Sequence, residues 1–287
     1  RIRMEEQDRD RLYALGANLA IAAAKTVATV FTGSSSMLAE AIHSYADAGN
    51  QVLLLWGLKQ AKRPPSPDYP LGWGKAVFFW SFIVAVVLFS IGGLFSLYEG
   101  WHKLNATETL SYPWVAVGIL VFGIAAETVS LRACLQEVNK VRGGKSLWRW
   151  FRESRQSELV VILGEDIAAL FGLVLALLAI LITVATGNPM WDALGSMSIG
   201  VLLIVVAAGI GNEIKALLIG QSAAPESEAR LRAFLLQQPG VEEIYRLITY
   251  QLGTTFMVAV KARVRAGSVE ELITAINRSE AATRAEF

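Results

Sequence analysis

The chain has 287 residues, 54% of them hydrophobic, and a formal net charge of +1. Its mean hydropathy of +0.44 excludes an ordinary soluble domain. The near-zero net charge identifies no partner, so the distribution of charge along the chain has to be considered instead.

Six apolar segments are candidates for membrane-spanning helices, each of which needs roughly 20 apolar residues. They lie at 11–31, 37–59, 76–103, 112–136, 158–186 and 191–211. The last two are nearly continuous, and 157–210 contains no Lys or Arg. The sequence therefore predicts an all-α polytopic membrane domain of six transmembrane helices over residues 1–211.

Basic residues occur in only two of the links between these segments. One link is flanked by Lys62, Arg63 and Lys75. The other contains Lys140, Arg142, Lys145, Arg149, Arg152 and Arg155, with Trp148 and Trp150 among them. The positive-inside rule places both links and both termini in the cytoplasm or its equivalent, across a bacterial inner membrane or an organelle membrane. Lipid headgroups are the expected partners of the second link, and no nucleic-acid partner is expected.

Residues 212–287 have a different composition, with 9 Lys or Arg, 9 Glu and no long apolar run. An amphipathic helix that Pro239 and Gly240 end is followed by two alternating strands, the second with Val258 and Val260 on one side. Ser268, with Glu271 three residues later, predicts a capping box and a second helix. The order α-β-β-α indicates a small cytoplasmic α+β domain of the ferredoxin-like type, and a last strand is expected after residue 287.

The second segment has a polar face. Glu40, His43, Asp47 and Asn50 follow one another at steps of 3, 4 and 3, which places them on one side of a helix. His43 and Asp47 are four residues apart, so their side chains can reach one point. One helix does not complete a metal site, so a partner helix is needed.

The fifth segment supplies that partner, because Glu158, Glu165 and Asp166 interrupt an otherwise apolar run. Carboxylates at membrane depth usually face a cavity or a partner. If this helix packs against the second, His43, Asp47 and Asp166 form a site. One nitrogen and several oxygens suit zinc, or else manganese, cobalt or ferrous iron.

Two other acidic residues lie in apolar segments. Glu40 is either an outer partner of the site or a residue at the membrane surface. Glu127 is expected to pair with a cation such as Arg132 or with a polar neighbour, and a role in proton access is the alternative.

Three stretches together resemble the cation diffusion facilitator family. They are GSSSMLAEAIHSYADAGNQ, the YPLG turn at 69–72 and ILGEDIAALFG. The similarity covers nearly the whole chain and is greatest to the branch that includes the mitochondrial zinc transporter of animals. It implies a homodimeric membrane exporter that exchanges a divalent metal ion, zinc above all, for protons. It implies no enzymatic reaction and no resident cofactor.

The resemblance carries over to individual residues. The His-x-x-x-Asp pair of the second helix matches His43 and Asp47, and the Asp of the fifth helix matches Asp166. Ile162 occupies the position at which the family usually has a histidine, so three ligands are matched. Three roles are open for Glu165: it supplies the fourth ligand, it carries protons or supports the ligands, or it is structural. Water or Asn50 can also complete the ligand shell.

Two further departures limit the number of metal sites. Asp68 is retained where many members bind a second ion, but Tyr69 and Trp73 occupy positions where histidines are common. Residues 212–287 contain no His, Cys or Asp. One transport site per subunit and no metal cluster in the tail are therefore expected.

The expected mechanism is competition of protons and a divalent cation for the same groups, with helices that rock to expose the site to either side. Two alternatives stay open. One is an exporter of manganese, cobalt or ferrous iron, because replacing a histidine by a carboxylate favours harder cations. The other is a non-transporting metal sensor or assembly partner in which Ile162 marks a degraded site.

Overall fold

A computed structural model describes residues 2–105 and 110–287, and the side chains of 2–14 and 17 are outside this description. The chain begins with α1 (Ile2–Thr32) and α2 (Ser35–Ala61). Then α3 (Ala76–Val87), a π-helical segment (Leu88–Leu94) and α4 (Phe95–Lys103) follow one another directly. The long helices that complete this part are α5 (Pro113–Val141), α7 (Ser157–Thr186) and α8 (Met190–Ile219), and the short α6 (Leu147–Glu153) lies between α5 and α7.

Four of these helical stretches are long and apolar enough to cross a membrane. They are Ala76–Lys103, Pro113–Val141, Ser157–Thr186 and Met190–Ile219. A shorter apolar stretch, Asn18–Thr32, lies within α1. The chain is therefore a mainly helical, multi-pass membrane protein.

Local chemistry fixes where α2 begins. Gly33 has a φ of +67°, a left-handed conformation that glycine adopts without strain, and it separates α1 from α2. Ser34 is the N-cap of α2, and its hydroxyl accepts a hydrogen bond from the Met37 amide at 3.1 Å. From this start α2 packs against α1, α3, α7 and α8. Its polar face is thereby enclosed by other helices.

The π-helical segment packs closely against α8. A Cβ atom added to Gly93 would be 2.6 Å from Ile204 Cγ1, and one added to Gly200 would be 2.8 Å from the Gly93 carbonyl oxygen. Only residues without side chains permit this approach. Around it lies a core of fully buried side chains, among them Phe78, Leu88, Leu120, Leu173, Ile199 and Leu203.

The tail has the predicted order α-β-β-α: α9 (Pro225–Leu236), β1 (Val241–Leu252), β2 (Thr255–Val264) and α10 (Val269–Glu286). The strands form an antiparallel pair with Leu247 opposite Val260. The predicted cap of α10 is confirmed, since the Ser268 hydroxyl accepts from the Glu271 amide at 3.2 Å. The predicted division after residue 211 falls inside α8, which continues to Ile219.

Candidate metal site

The polar face of α2 is turned into the protein. Glu40, His43 and Asn50 have no solvent exposure, and the Asp47 side chain is 18% exposed. The spacing of these residues therefore has the predicted result, because one helical face holds all four. A buried imidazole and buried carboxylates need partners, so their contacts determine what this face can do.

His43 and Asp47 form a pair with unused bonding capacity. The His43 Nε2 atom lies 3.4 Å from Asp47 Oδ2. Both ring nitrogens of His43 and the Oδ1 atom of Asp47 are buried without a hydrogen-bond partner among the described residues. Buried polar atoms are rarely left unpaired in folded proteins. These atoms are therefore available to an ion or to protons.

Glu165 of α7 joins this group through Asn50. Its side chain is only 6% exposed, and its Oε1 atom accepts a hydrogen bond of 2.5 Å from Asn50 Nδ2. Asn50 lies three residues after Asp47 on the same face of α2. The contact of α2 with α7 therefore brings an imidazole, two carboxylates and an amide to the same region of the interior.

Asp166 lies on a different side of α7. Ser130 of α5 donates a hydrogen bond to its Oδ2 atom at 3.4 Å. Adjacent helical residues point about 100° apart, so Glu165 and Asp166 face different neighbours. Ile162, one turn earlier, packs against the hydrophobic core.

The predicted ligands are thus near one another but do not form a closed shell. Among the side chains that the structure describes, no three of His, Cys, Asp or Glu are placed to hold a metal ion together. His43, Asp47 and Glu165 lie on the α2 side of α7, and Asp166 lies on its α5 side.

Sequence reasoning missed Lys25. This residue of α1 is 1% exposed, and its ammonium group donates to Glu40 Oε2 at 3.1 Å and to Ser44 Oγ at 2.7 Å. Glu40 is therefore enclosed in the protein interior. A lone lysine inside the apolar run of α1 was the available signal, because intramembrane cations usually have a specific partner.

Asp192 was missed as well. This first-turn residue of α8 is 3% exposed and accepts hydrogen bonds from the N-terminus of α2. The donors include the Ser34 hydroxyl at 2.7 Å, the Ser35 amide at 2.6 Å and the Ser36 hydroxyl. A carboxylate at a helix N-terminus is favourable because unpaired amides and the helix dipole converge there. Asp192 thus fixes the beginning of α2 to α8.

The basic link between α5 and α7 is occupied largely by ion pairs within the protein. Lys145 lies 2.9 Å from Glu153 and 2.8 Å from Glu226, and Arg152 lies 2.9 Å from Glu213. Hydrogen bonds from Lys145 hold the pKa of Glu153 and of Glu226 below the usual range, and these carboxylates, Glu226 first, raise the pKa of Lys145. The link therefore connects α6 to α8 and to the tail.

Comparisons with known proteins agree with this arrangement. Residues 12–219 match the cation efflux transmembrane domain family. The chain is 35% identical to a proton-coupled zinc antiporter, mitochondrial SLC30A9 of Xenopus laevis, over 84% of the chain and 43% of the relative. It is 28% identical to metal tolerance protein C4 of Arabidopsis thaliana over 85% of the chain and 54% of the relative. It is 27% identical to the cation-efflux pump FieF of Serratia proteamaculans over 80% of the chain and 72% of the relative.

The similarity covers less than half of the length of the Xenopus relative, whereas the family match covers most of the present chain. The matched residues include both α2 and α7, and hence every residue of the candidate site. The chain therefore belongs to the cation efflux family and is related to the SLC30A9 antiporters.

Proposed function

We propose that this chain exports zinc from the cytoplasm in exchange for protons and catalyses no covalent reaction. One observation carries the proposal. Both ring nitrogens of His43 and the Asp47 Oδ1 atom have no hydrogen-bond partner among the described side chains, and they are buried on the face of α2 that Asn50 links to Glu165, inside the family's transmembrane domain. The name of the Xenopus relative, a proton-coupled zinc antiporter, supports the same ion and the same partner, and the name of the Serratia relative supports cation efflux.

The proposed ligands are His43, Asp47, Glu165 and Asp166. The first three already share the α2 side of α7, and Asn50 holds Glu165 there. Asp166 has to leave Ser130 to join them, which requires a small rotation of α7 or a change of side-chain rotamer. An imidazole and carboxylates are suitable ligands for zinc.

Exchange follows from charge. The Asp47 and Glu165 carboxylates lie on facing helices in the protein interior, where two neighbouring negative charges repel each other. Either protons or a divalent cation relieves that repulsion, and the two compete for the same atoms. Metal that enters from the cytoplasm displaces protons. Movement of α2 relative to α7 then exposes the site to the other side, where protons displace the metal.

The wider architecture belongs to the same proposal. With α1 and α2 added to the four apolar spans, six helices cross the membrane. The basic links, among them the one that contains Lys145, place both termini in the cytoplasm of a bacterial cell or on the equivalent side of an organelle membrane. Residues 1–211 would be the transport domain and 212–287 a ferredoxin-like cytoplasmic domain. A homodimer is proposed from the family resemblance.

Manganese is the second candidate ion. Ile162 offers no nitrogen, and the amide of Asn50 and the carboxylate of Glu165 add oxygens beside Asp47. Oxygen-rich ligand sets favour harder cations. Zinc ranks first because both His43 nitrogens are buried and neither has a hydrogen-bond partner in the described part of the chain.

The test is metal flux into proteoliposomes with an imposed pH gradient. Zinc flux that needs the gradient and is lost in Asp47→Asn supports the proposal. Glu137→Gln is the matched control, because Glu137 is an exposed α5 residue that pairs with Lys140. Zinc flux that does not depend on the pH gradient would contradict proton exchange. Absence of both zinc and manganese flux from the folded protein would favour a non-transporting sensor or assembly partner.

A further inference from the structure

Lys25 is a buried ammonium group next to the candidate site but outside it. Its two hydrogen bonds go to Glu40 and Ser44, which are four residues apart on α2 and flank His43. A cation with 1% exposure in the helical bundle is costly unless it is paired. The pair therefore has either a structural role or a role connected with the site.

Glu40 has the properties of a potential metal ligand. It precedes His43 by three residues, and Glu-x-x-His on a helix is a spacing by which helical bundles present a carboxylate and an imidazole to one metal ion. Its Oε1 atom is buried and has no hydrogen-bond partner among the described residues. A second carboxylate oxygen is thus available one turn from His43.

A glycine of α7 leaves room for the Oε1 atom of Glu40. Glu40 Oε1 lies against Gly172, and a Cβ atom at that position would overlap it. Any larger residue would displace the carboxylate. The carboxylate of Glu40 is therefore accommodated between α1 and α7, with its other oxygen held by Lys25.

We infer that Lys25 is a specificity-determining residue, because it holds the Glu40 carboxylate away from the ion bound at His43, Asp47 and Glu165. This inference rests on the proposed metal site. Without the ammonium group, Glu40 can turn towards His43 and add an anionic oxygen ligand. Additional oxygen ligands favour manganese over zinc. Lys25 thereby keeps the site suited to zinc.

Two effects of removing Lys25 have to be separated. Loss of a positive charge near the site strengthens binding of every divalent cation, since the repulsion of like charges disappears. Release of the Glu40 carboxylate increases the affinity for manganese more than the affinity for zinc. The ratio of the two affinities therefore reports on Glu40, whereas the common increase reports on charge alone.

The experiment is calorimetric titration of the purified protein with Zn²⁺ and, separately, with Mn²⁺. In Lys25→Met, the affinity for manganese relative to zinc should rise by about tenfold or more. In Lys25→Met combined with Glu40→Gln, that ratio should return to within about threefold of the original protein. Lys103→Met is the matched control, because Lys103 pairs with Glu99 at 3.5 Å near the end of α4.

An unchanged ratio in folded Lys25→Met overturns the inference, and so does an equal rise in the double variant. Glu40→Gln alone provides a test that does not depend on the folding of Lys25→Met. In Glu40→Gln the affinity for manganese relative to zinc should equal that of the original protein. A fall in this ratio would mean that Glu40 is already a ligand, which would contradict the inference. If the affinity ratios change as expected but the protein moves no zinc in proteoliposomes, the inference about Lys25 holds and the proposed transport function is wrong. If neither the original protein nor Lys25→Met binds either ion, the inference fails.

Discussion

Glu165→Gln is the most informative single substitution in the candidate site. Glutamine has nearly the shape of glutamate, and its side-chain carbonyl can still accept the hydrogen bond from Asn50. The contact between α2 and α7 is therefore retained, and the negative charge is removed. A change in zinc binding then reports on that charge and not on a loss of packing.

The expected magnitude follows from Coulomb's law. A carboxylate and a divalent ion about 4 Å apart attract by about 8 kcal/mol at an effective dielectric constant of about 20. Most of this is offset by the desolvation of both charges. If about a third survives, zinc affinity falls by about 100-fold or more, since each 1.4 kcal/mol is roughly a factor of ten.

The assay is zinc titration of the purified variant, with Glu137→Gln as the control at an exposed carboxylate. A fall beyond about 100-fold identifies Glu165 as a direct ligand. A fall of about 10- to 100-fold is typical of a residue that supports the ligands through a hydrogen bond. Zinc affinity within about threefold of the original protein would refute the assignment of Glu165 to the site.

Three further predictions concern the surroundings of the site. Asp166→Asn should lower zinc flux in proteoliposomes, whereas Ser130→Ala should not, because Ser130 only holds Asp166 on the α5 side; equal losses would contradict this. Asp192→Ala should lower the melting temperature in detergent, because the Ser35 and Ser36 amides lose their acceptor at a cost of roughly 2–6 kcal/mol. An unchanged melting temperature would contradict the role of Asp192. The contact of Lys145 with Glu226 depends on a carboxyl whose pKa is lowered, so it should persist from neutral pH down to the ordinary value of 4.5 and weaken only below it. A distance between spin labels on α6 and α9 that changes already at about pH 6 would contradict it.

The periodic features of the chain could be predicted from the sequence. The steps between Glu40, His43, Asp47 and Asn50 are sufficient to place these residues on one face, and the surrounding apolar residues are sufficient to bury it. The cap at Ser268 and the two strands of the tail are equally local signals. Such features depend on the next few residues, which is why they are predictable.

Features that depend on which helices meet could not be predicted in this way. Lys25 is 15 residues from its partner Glu40, and Asp192 is 157 residues from its partner Ser35. No local sequence pattern indicates such distant partners. Nor does the sequence decide whether Glu165 or Asp166 faces α2, because adjacent residues differ by about 100° around the helix. The composition changes after residue 211, but the helix α8 continues to Ile219, so composition alone does not give the end of a helix.

The contacts of α2 also indicate where movement is easiest. At the beginning of α2, Asp192 accepts several hydrogen bonds from Ser34, Ser35 and Ser36, and all of them would have to break together. Farther along, the contact with α7 through Asn50 and Glu165 is a single hydrogen bond. A metal ion that takes over Glu165 replaces that bond and leaves the contacts of Asp192 intact. We therefore expect α7 to move against α2 mainly at the Asn50 end, while the beginning of α2 stays fixed to α8 through Asp192.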